Sequence, residues 1–229
     1  MAEFDKCRQK IPKAERRSRY IKYLKETELD PKAVFYHAYR TRIMSGNPYA
    51  IFKEIFECED FSDYEHYWVY TDEESLKYDT FKRYENDPRV HYVKAFTEEH
   101  LKAMAKCKYI INNAALPDYW QKREGQIYVN TWHGTPLKML GKYAKDAKES
   151  SIANAQRNFI MCDYMVMPNK YTIEKMLSSY DLDGIMEGKI LDVGYPRNDL
   201  PVKTDPNRIR RMLESKFGES LAGKKIVLY

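Results

Sequence analysis

Apolar and polar residues follow two alternating patterns along the chain. Short β-branched and aromatic runs predict strands, and apolar residues three or four positions apart predict helices. The predicted strands are 33–39, 65–70, 89–93, 109–112, 127–131, 164–167 and 190–193. The predicted helices are 12–28, 48–58, 73–85, 97–106, 147–160, 170–180 and 206–217. This alternation predicts an α/β fold, a Rossmann-like domain whose parallel sheet is covered on both faces.

The segment 200–206 contains two prolines and few apolar residues, which is typical of a domain boundary. We therefore predict a basic N-terminal helix in residues 1–30, a Rossmann-like domain over 31–203, and the start of a second domain over 204–229. The apolar run 224–229 predicts one more strand. Because a strand at a chain end would have no partner, we expect the second domain to be incomplete.

The composition is that of a globular protein, with 43% hydrophobic and 32% charged residues in a chain of 229. No apolar stretch is long enough for a membrane-spanning helix, and the first residues are too polar for a secretory signal. Four scattered cysteines form no CxxC pair, which argues against a zinc site and against a disulfide framework. A reducing cytoplasm is the expected compartment, and we predict no metal site.

The net charge of +5 is concentrated near the N-terminus. Residues 6–25 contain nine Lys or Arg residues and one acid, Glu15. One interpretation is a solvated helix at the edge of the domain, and the other is a contact with anionic lipid or another polyanion. The candidate membrane contacts are Arg8, Lys13, Arg16, Arg17 and Arg19. We do not expect nucleic acid as a partner, since no recognised motif combines basic and aromatic residues.

Polar residues follow several of the predicted strands. Because ligands of open α/β sheets bind beyond the carboxyl ends of the strands, these residues are candidate ligand contacts. They are Asn47, Asn112, Asn113, Asn169, Arg197, Asn198 and Asp199.

The loop after the fifth predicted strand has the most specific chemistry. Gly134 permits a tight turn or a close backbone approach, and Thr135 and Pro136 predict the start of a helix that points its N-terminus at an anion. His133 has the chemistry of a general base near neutral pH, and Lys138 adds positive charge. The alternative interpretation is a buried histidine that only hydrogen-bonds a strand end.

Other motifs are less specific. Arg197 could bind a phosphate in a bidentate manner, or it could lie in a turn where Asn198 and Asp199 satisfy backbone groups. Neither a GxGxxG nor a GxxxxGK[ST] fingerprint is present, so a dinucleotide site and a P-loop are not expected. The remaining histidines are interpreted as structural: His37, His66, His91 and His100.

Five ordered motifs carry a resemblance to a known family. The longest, in segment 126–138, reads QIYVNTWHGTPLK and is followed by Leu140 and Gly141. The other matching segments are 45–51, 105–117, 163–169 and 193–200. Over about residues 33–229 the chain resembles the CDP-glycerol glycerophosphotransferases, the teichoic acid polymerases and primases.

The resemblance implies the N-terminal, acceptor-side half of a GT-B architecture. Its members transfer glycerol phosphate from CDP-glycerol to a hydroxyl of a lipid-linked teichoic acid or capsule-type acceptor and release CMP. The proposed base of that reaction corresponds to His133, and Gly134, Thr135 and Lys138 lie in the same motif. No cofactor is implied, and most CDP-glycerol contacts belong to the C-terminal domain, so we expect this chain alone to be inactive.

A membrane-bound acceptor also implies a peripheral location at the inner face of the cell membrane, for which the basic helix offers a contact. The alternative function, from a different class, is a non-catalytic module. Such a module would bind polyol-phosphate polymer or an anionic membrane surface and act together with a partner chain.

Overall fold

The protein is seen in a computed structural model that describes residues 9–38 and 43–227. Its centre is a seven-stranded, wholly parallel sheet with the strand order β3-β2-β1-β4-β5-β6-β7. The strands are β1 (Asp30–His37), β2 (Glu65–Tyr70), β3 (Val90–Lys94), β4 (Cys107–Asn112), β5 (Ile127–Asn130), β6 (Tyr164–Met167) and β7 (Lys189–Asp192). The predicted Rossmann-like α/β fold is confirmed.

Helices connect the strands and cover the sheet. They are α1 (Arg16–Glu26), α2 (Gly46–Glu57), α3 (Asp79–Lys82), α4 (Glu98–Lys106), α5 (Glu149–Ile160), α6 (Lys170–Ser179), α7 (Asp199–Lys203) and α8 (Pro206–Phe217). Caps predicted from the sequence are present at two of them. The Thr97 hydroxyl accepts a hydrogen bond from the backbone N–H of His100, and the Asp205 carboxylate accepts one from that of Asn207.

The order of strands reverses beside β1. The chain builds outward from β1 through β2 to β3, and then returns to the other side of β1 with β4. The two central strands end level with each other, because His37 is aligned with Asn112. A crevice opens between carboxyl ends at such a switch point, and it is the usual ligand site of these sheets.

Aromatic side chains fill the core on both faces of the sheet. On one face α1 and α4 bury Tyr20 and Leu101 in the same cluster. On the other face Phe52 of α2 contacts the stacked rings of Tyr36 and Trp68, whose centroids are 4.7 Å apart. Many of the tyrosines therefore serve to pack the core, as expected for residues with a large apolar ring.

The basic N-terminal helix packs on the domain. The Ile11 N–H donates to the Phe96 carbonyl at 2.8 Å, and the Arg16 guanidinium lies 4.0 Å from the centroid of the Phe96 ring. Arg19 forms ion pairs with Glu15 and Glu98. Arg8, one of the predicted membrane contacts, lies outside the described residues.

Two elements predicted from the pattern of apolar and polar residues are wrong. The predicted helix 73–85 is two short pieces, a 3₁₀ turn over Glu73–Lys77 and then α3, because Tyr78 between them is extended at φ −68° and ψ 144°. The predicted strand 224–229 is absent over 224–227, where the chain pairs with no strand of the sheet. Residues 228 and 229, like Tyr39 at the end of the first predicted strand, lie outside the described residues.

In the part of the chain that the structure describes, every helix is too short or too polar to cross a bilayer. The segment 200–206, proposed as a domain boundary, includes most of α7 and the first residue of α8. A large cavity of about 840 Å³ separates α8 from α2. The division of the chain at residue 203 stays a prediction.

Gly141, from the long sequence motif, provides a test of the packing. It has φ +51°, and a Cβ atom there would lie 2.0 Å from the Ser179 carbonyl oxygen at the end of α6. We expect Gly141→Ala to lower the free energy of unfolding by about 2–4 kcal/mol, because both backbone strain and overlap oppose it. Urea denaturation measures the loss. Gly184→Ala is the control, since Gly184 has φ +74° but open space around it, and equal losses would contradict the packing argument.

Candidate active site at the ends of β1, β4 and β5

His133 lies at the sheet edge just beyond β5, half-buried. Its Nδ1 is 2.7 Å from the backbone oxygen of Asn113, beyond the end of β4. Because a carbonyl oxygen only accepts hydrogen bonds, Nδ1 carries the proton and donates it, and the basic lone pair lies on Nε2. This tautomer is the one a general base needs.

The surroundings of His133 keep its imidazole neutral. Burial lowers its pKa, the hydrogen bond to Asn113 opposes this effect, and the nearby positive charge of Arg197 lowers the pKa further. The net direction is downward from the ordinary value of about 6.5. His133 is therefore in its basic form at neutral pH, with its ring at the edge of the sheet.

Trp132 holds the ring of His133 from the other side. Its backbone is in the left-handed region, at φ 48°, where a bulky residue is strained. The conformation is maintained by hydrogen bonds from the Trp132 N–H to the Asn130 side-chain oxygen, at 2.9 Å, and from Asn47 to the Trp132 carbonyl, at 3.3 Å. The indole of Trp132 packs against Phe159. The centroids of the Trp132 and His133 rings are 3.9 Å apart.

Asn47 connects three parts of the site. It is fully buried in the first turn of α2, and its side-chain amide donates to the backbone oxygens of Thr131 and Trp132. Its side-chain oxygen accepts the backbone N–H of Arg197 at 3.2 Å. Asn47 is thus a structural cross-link between α2, the loop after β5 and the loop after β7. It was predicted as a substrate contact, and that role stays a prediction.

Arg197 lies directly against the histidine motif. One guanidinium nitrogen donates to the backbone oxygen of His133 at 2.9 Å, and the guanidinium lies over the Tyr195 ring at 4.7 Å. One side of the planar group is therefore used by the protein. Its charge remains beside the imidazole, where a phosphate would be attracted.

Asn112 serves mainly to orient its neighbours. Its side-chain oxygen accepts from His37 Nδ1 and from the Ala114 N–H, and its amide donates to the Ala114 oxygen and to the Tyr128 hydroxyl. Asn130 donates to the same two acceptors. Together the two asparagines fix the loop that presents the Asn113 carbonyl to His133.

The prediction of a helix starting at Thr135 and Pro136 is wrong. Residues 135–140 form an irregular loop, because Leu137 in its middle is 96% exposed and the segment has no apolar face to pack as a helix. The expected helix N-terminus is therefore missing from this loop. Lys138 is exposed and lines a separate cavity with Tyr171.

The other candidate contacts are dispersed along the edge of the sheet. The Asn169 side chain caps α6 by accepting the Thr172 N–H at 2.9 Å. Asn198 and Asp199 are exposed, and Asp199 faces the cavity between α2 and α8. A Cβ atom on Gly134 would meet no atom within 4 Å, so protein packing does not require glycine there. The open space beside it is available to a ligand.

Among residues 9–38 and 43–227, no group of three His, Cys, Asp or Glu side chains is arranged to hold a metal ion. The groups present on this edge are the imidazole of His133, the guanidinium of Arg197 and the side-chain amides around them. Such a set suits acid–base work on a substrate that carries phosphate.

Comparison with known proteins decides the family. The profile of "CDP-Glycerol:Poly(glycerophosphate) glycerophosphotransferase" matches residues 19–229. The chain belongs to this glycerophosphotransferase family. The resemblance seen in the sequence motifs is thereby confirmed.

Relatives within the glycerophosphotransferase family act in teichoic acid synthesis. The chain is 30% identical over 204 residues to a teichoic acid poly(glycerol phosphate) polymerase of Bacillus spizizenii, covering 86% of this chain and 49% of that protein. It is 30% identical over 206 residues to a teichoic acid glycerol-phosphate transferase of Staphylococcus aureus, again covering 86% and 49%. The chain thus spans about half the length of these relatives.

The fold is shared with the wall teichoic acid polymerase TagF. The chain matches the structure of a TagF variant soaked with CDPG with a TM-score of 0.70 and 24% identity, over 88% of this chain and 48% of that one. The unmodified TagF structure gives a TM-score of 0.68 and 24% identity, over 87% and 49%. The glycerophosphotransferase fold is therefore present over the described part of the chain.

The sequence interpretation missed Trp132 and Asn130 as parts of the site. No local sequence pattern predicts a left-handed backbone conformation at a tryptophan. The signal that could have found Asn130 is its position at the end of a buried strand, where an asparagine side chain can satisfy the next backbone groups.

The cross-linking role of Asn47 predicts a large effect on stability. We expect Asn47→Ala to lower the free energy of unfolding by about 2–4 kcal/mol, because it removes the hydrogen bonds of Asn47 to the Thr131 carbonyl, the Trp132 carbonyl and the Arg197 N–H. Asn198→Ala is the matched control, since Asn198 is exposed and should change stability by less than about 0.5 kcal/mol. Thermal or urea unfolding of both variants measures the difference, and similar values would remove the cross-linking role.

Proposed function

We propose that this chain is the acceptor-side part of a glycerophosphotransferase that uses CDP-glycerol, with His133 as general base. The observation that carries the proposal is the hydrogen bond from His133 Nδ1 to the Asn113 carbonyl, together with the lowered pKa. The family and its teichoic acid relatives support the substrate class.

In the proposed reaction, a hydroxyl of a polyol-phosphate acceptor attacks the phosphorus that bears glycerol. His133 Nε2 takes the hydroxyl proton as the new oxygen–phosphorus bond forms. The bond from that phosphorus to the oxygen of CMP breaks, and CMP leaves. General-base catalysis of this kind contributes roughly 10²–10⁴-fold to the rate.

Positive charge near the reacting phosphate lowers the rest of the barrier. Arg197 is fixed beside His133 by its bond to the His133 backbone oxygen, so its charge is in place before the reaction. Lys138 is exposed on the loop that contains His133. Gly134, on that loop, leaves room for a phosphate to approach the backbone.

We also propose that the basic N-terminal segment attaches the protein to an anionic membrane surface, where a lipid-linked acceptor lies. Arg17 and Lys13 are exposed on it. Arg19 is engaged with Glu15 and Glu98, so it contributes less free charge than its sequence position suggests. Each basic residue near such a surface contributes about 1 kcal/mol.

The first test is CMP release from CDP-glycerol in the presence of lipid-linked acceptor. The chain is assayed alone and with the separate C-terminal half of the Bacillus spizizenii relative, since it spans about half of that protein. We expect His133→Ala to lower CMP release by roughly 10²–10⁴-fold, because the hydroxyl loses its base.

His91→Ala is the control. His91 on β3 pairs with Glu65 on β2 and makes no contact with the motif that contains His133. CMP release by His133→Ala at the wild-type rate would contradict the assignment of the base. If the chain binds the acceptor but CMP is released neither by the chain alone nor with the separate C-terminal half, the result would favour the alternative, a non-catalytic module that binds polyol phosphate.

The second test is the pH profile of kcat/KM. Because the pKa of His133 is lowered, activity should persist as the pH falls and decline only below about 6.5, where the base becomes protonated. Arg197→Met removes a charge that lowers this pKa, so the acidic limb should move to higher pH. Arg197→Lys keeps the charge and should return the acidic limb of the pH profile to its wild-type position. A limb that stays in place in Arg197→Met would show that the charge does not act on His133.

A further inference from the structure

A second cavity lies at the switch point of the sheet. Its volume is about 490 Å³, and it is bounded by the start of α1, the end of β1 and the loop that follows β4. We call it the switch-point cavity, and its polar lining consists of Lys13, Arg16, Arg17, His37, Asp118, Tyr119 and Asn154.

Three cations line the switch-point cavity against one carboxylate. Within residues 9–38 and 43–227, no acid forms an ion pair with Lys13, Arg16 or Arg17. Asp118 is exposed at the other side of the opening. Cations gathered in a concave site without paired acids favour an anionic ligand.

Arg16 is held in place before any ligand binds. Its Nε donates to the Ile11 carbonyl at 2.9 Å, and its guanidinium lies on the Phe96 ring. Its two terminal nitrogens make no hydrogen bond within the described part of the chain. A planar group fixed in this way is suited to a phosphate oxygen pair.

His37 and Tyr119 add further polar groups. His37 donates the Nδ1 proton to the Asn112 side-chain oxygen, so Nε2 carries the lone pair and accepts a hydrogen bond from a ligand hydroxyl rather than donating to a phosphate oxygen. Tyr119 is only 8% exposed, and its buried hydroxyl has no hydrogen-bond partner among the described residues. A buried polar atom of this kind is stabilised when a bound group supplies a partner.

We propose that the switch-point cavity is a phosphate-binding subsite, with Lys13, Arg16 and Arg17 as its cationic contacts. This assigns His37, interpreted from the sequence as structural, to a ligand site. It also gives three of the residues predicted to touch the membrane a more specific role.

The same loop connects the switch-point cavity to His133. The Asn113 carbonyl accepts the bond from His133, and Ala115, two residues further on, lines the cavity. A polymer of polyol phosphate alternates hydroxyl-bearing units with phosphodiesters. We infer that the cavity binds a phosphodiester of the acceptor while the terminal hydroxyl of the same chain reaches His133. This inference rests on the proposed function.

Equilibrium binding of a short, soluble poly(glycerol phosphate) oligomer tests the subsite. The assay is isothermal titration calorimetry with the whole chain and needs neither CDP-glycerol nor turnover. We expect the double variant Lys13→Gln/Arg17→Gln to bind at least about tenfold more weakly, because charge-assisted hydrogen bonds are lost. Both side chains are exposed and unpaired within the described residues, so thermal unfolding should be unchanged.

The control is Lys22→Gln/Lys25→Gln, which removes the same amount of charge from α1 at positions outside the cavity. It should leave oligomer affinity within about twofold of the wild type, since a bound phosphate touches neither side chain. Equal weakening of oligomer binding by both double variants would overturn the subsite, and so would a result in which neither double variant weakens oligomer binding and both affect vesicle binding alike. Oligomer binding is measured without CDP-glycerol, whereas the proposed catalysis is measured as CMP release, so a failure of one is distinguishable from a failure of the other.

Vesicles of phosphatidylglycerol and phosphatidylcholine distinguish the two sources of phosphate. With the acceptor as source, both double variants should weaken vesicle binding equally, and added salt should weaken it further. If Lys13→Gln/Arg17→Gln weakens vesicle binding much more than the control and leaves oligomer binding intact, the phosphate site stands but its ligand is a lipid headgroup.

Discussion

The hydrogen bond between His133 Nδ1 and the Asn113 carbonyl is the interaction on which the site depends. It joins the ends of β4 and β5, fixes the tautomer of the imidazole and leaves the lone pair on Nε2. Without it the ring could carry its proton on either nitrogen, and only one of the two forms would act as a base toward the open side. The backbone geometry of a parallel sheet thereby determines the chemistry of a side chain.

That bond is maintained at a local cost. Trp132 adopts a left-handed conformation, which costs of order 1–3 kcal/mol for such a residue. Buried amides offset the cost, because Asn130 accepts the Trp132 N–H and Asn47 donates to its carbonyl. The indole also packs on Phe159 in the core. The strained backbone is thus supported by Asn130 within the motif and by Asn47 and Phe159 from two distant segments of the chain, so the local sequence alone does not reveal it.

All seven strands were predictable because each one is a short apolar run bounded by polar residues. The histidine motif was predicted as a site because it follows a strand, and that role stays a prediction. What failed was the helix at Thr135, where capping residues were present but Leu137 had nothing to bury against. Capping signals locate a helix only when an apolar face stabilises it. Asn47 and Asn112 were predicted as ligand contacts, and whether they act as such depends on distant partners that a sequence does not display.

The basic N-terminal segment is a second feature whose partner the sequence alone does not determine. A row of basic residues predicts a polyanion, but the sequence cannot say whether the partner is a flat surface or a single group. The fold bears on this choice, because the turn before α1 and the first residues of α1 lie beside the carboxyl ends of β1 and β4, where Lys13, Arg16 and Arg17 line a concave space. A flat surface would contact the outer face of the helix, whereas the proposed phosphate would lie in the cavity that the three cations line. Since the loop after β4 lines this cavity and also orients His133, one polymer chain could bind to both.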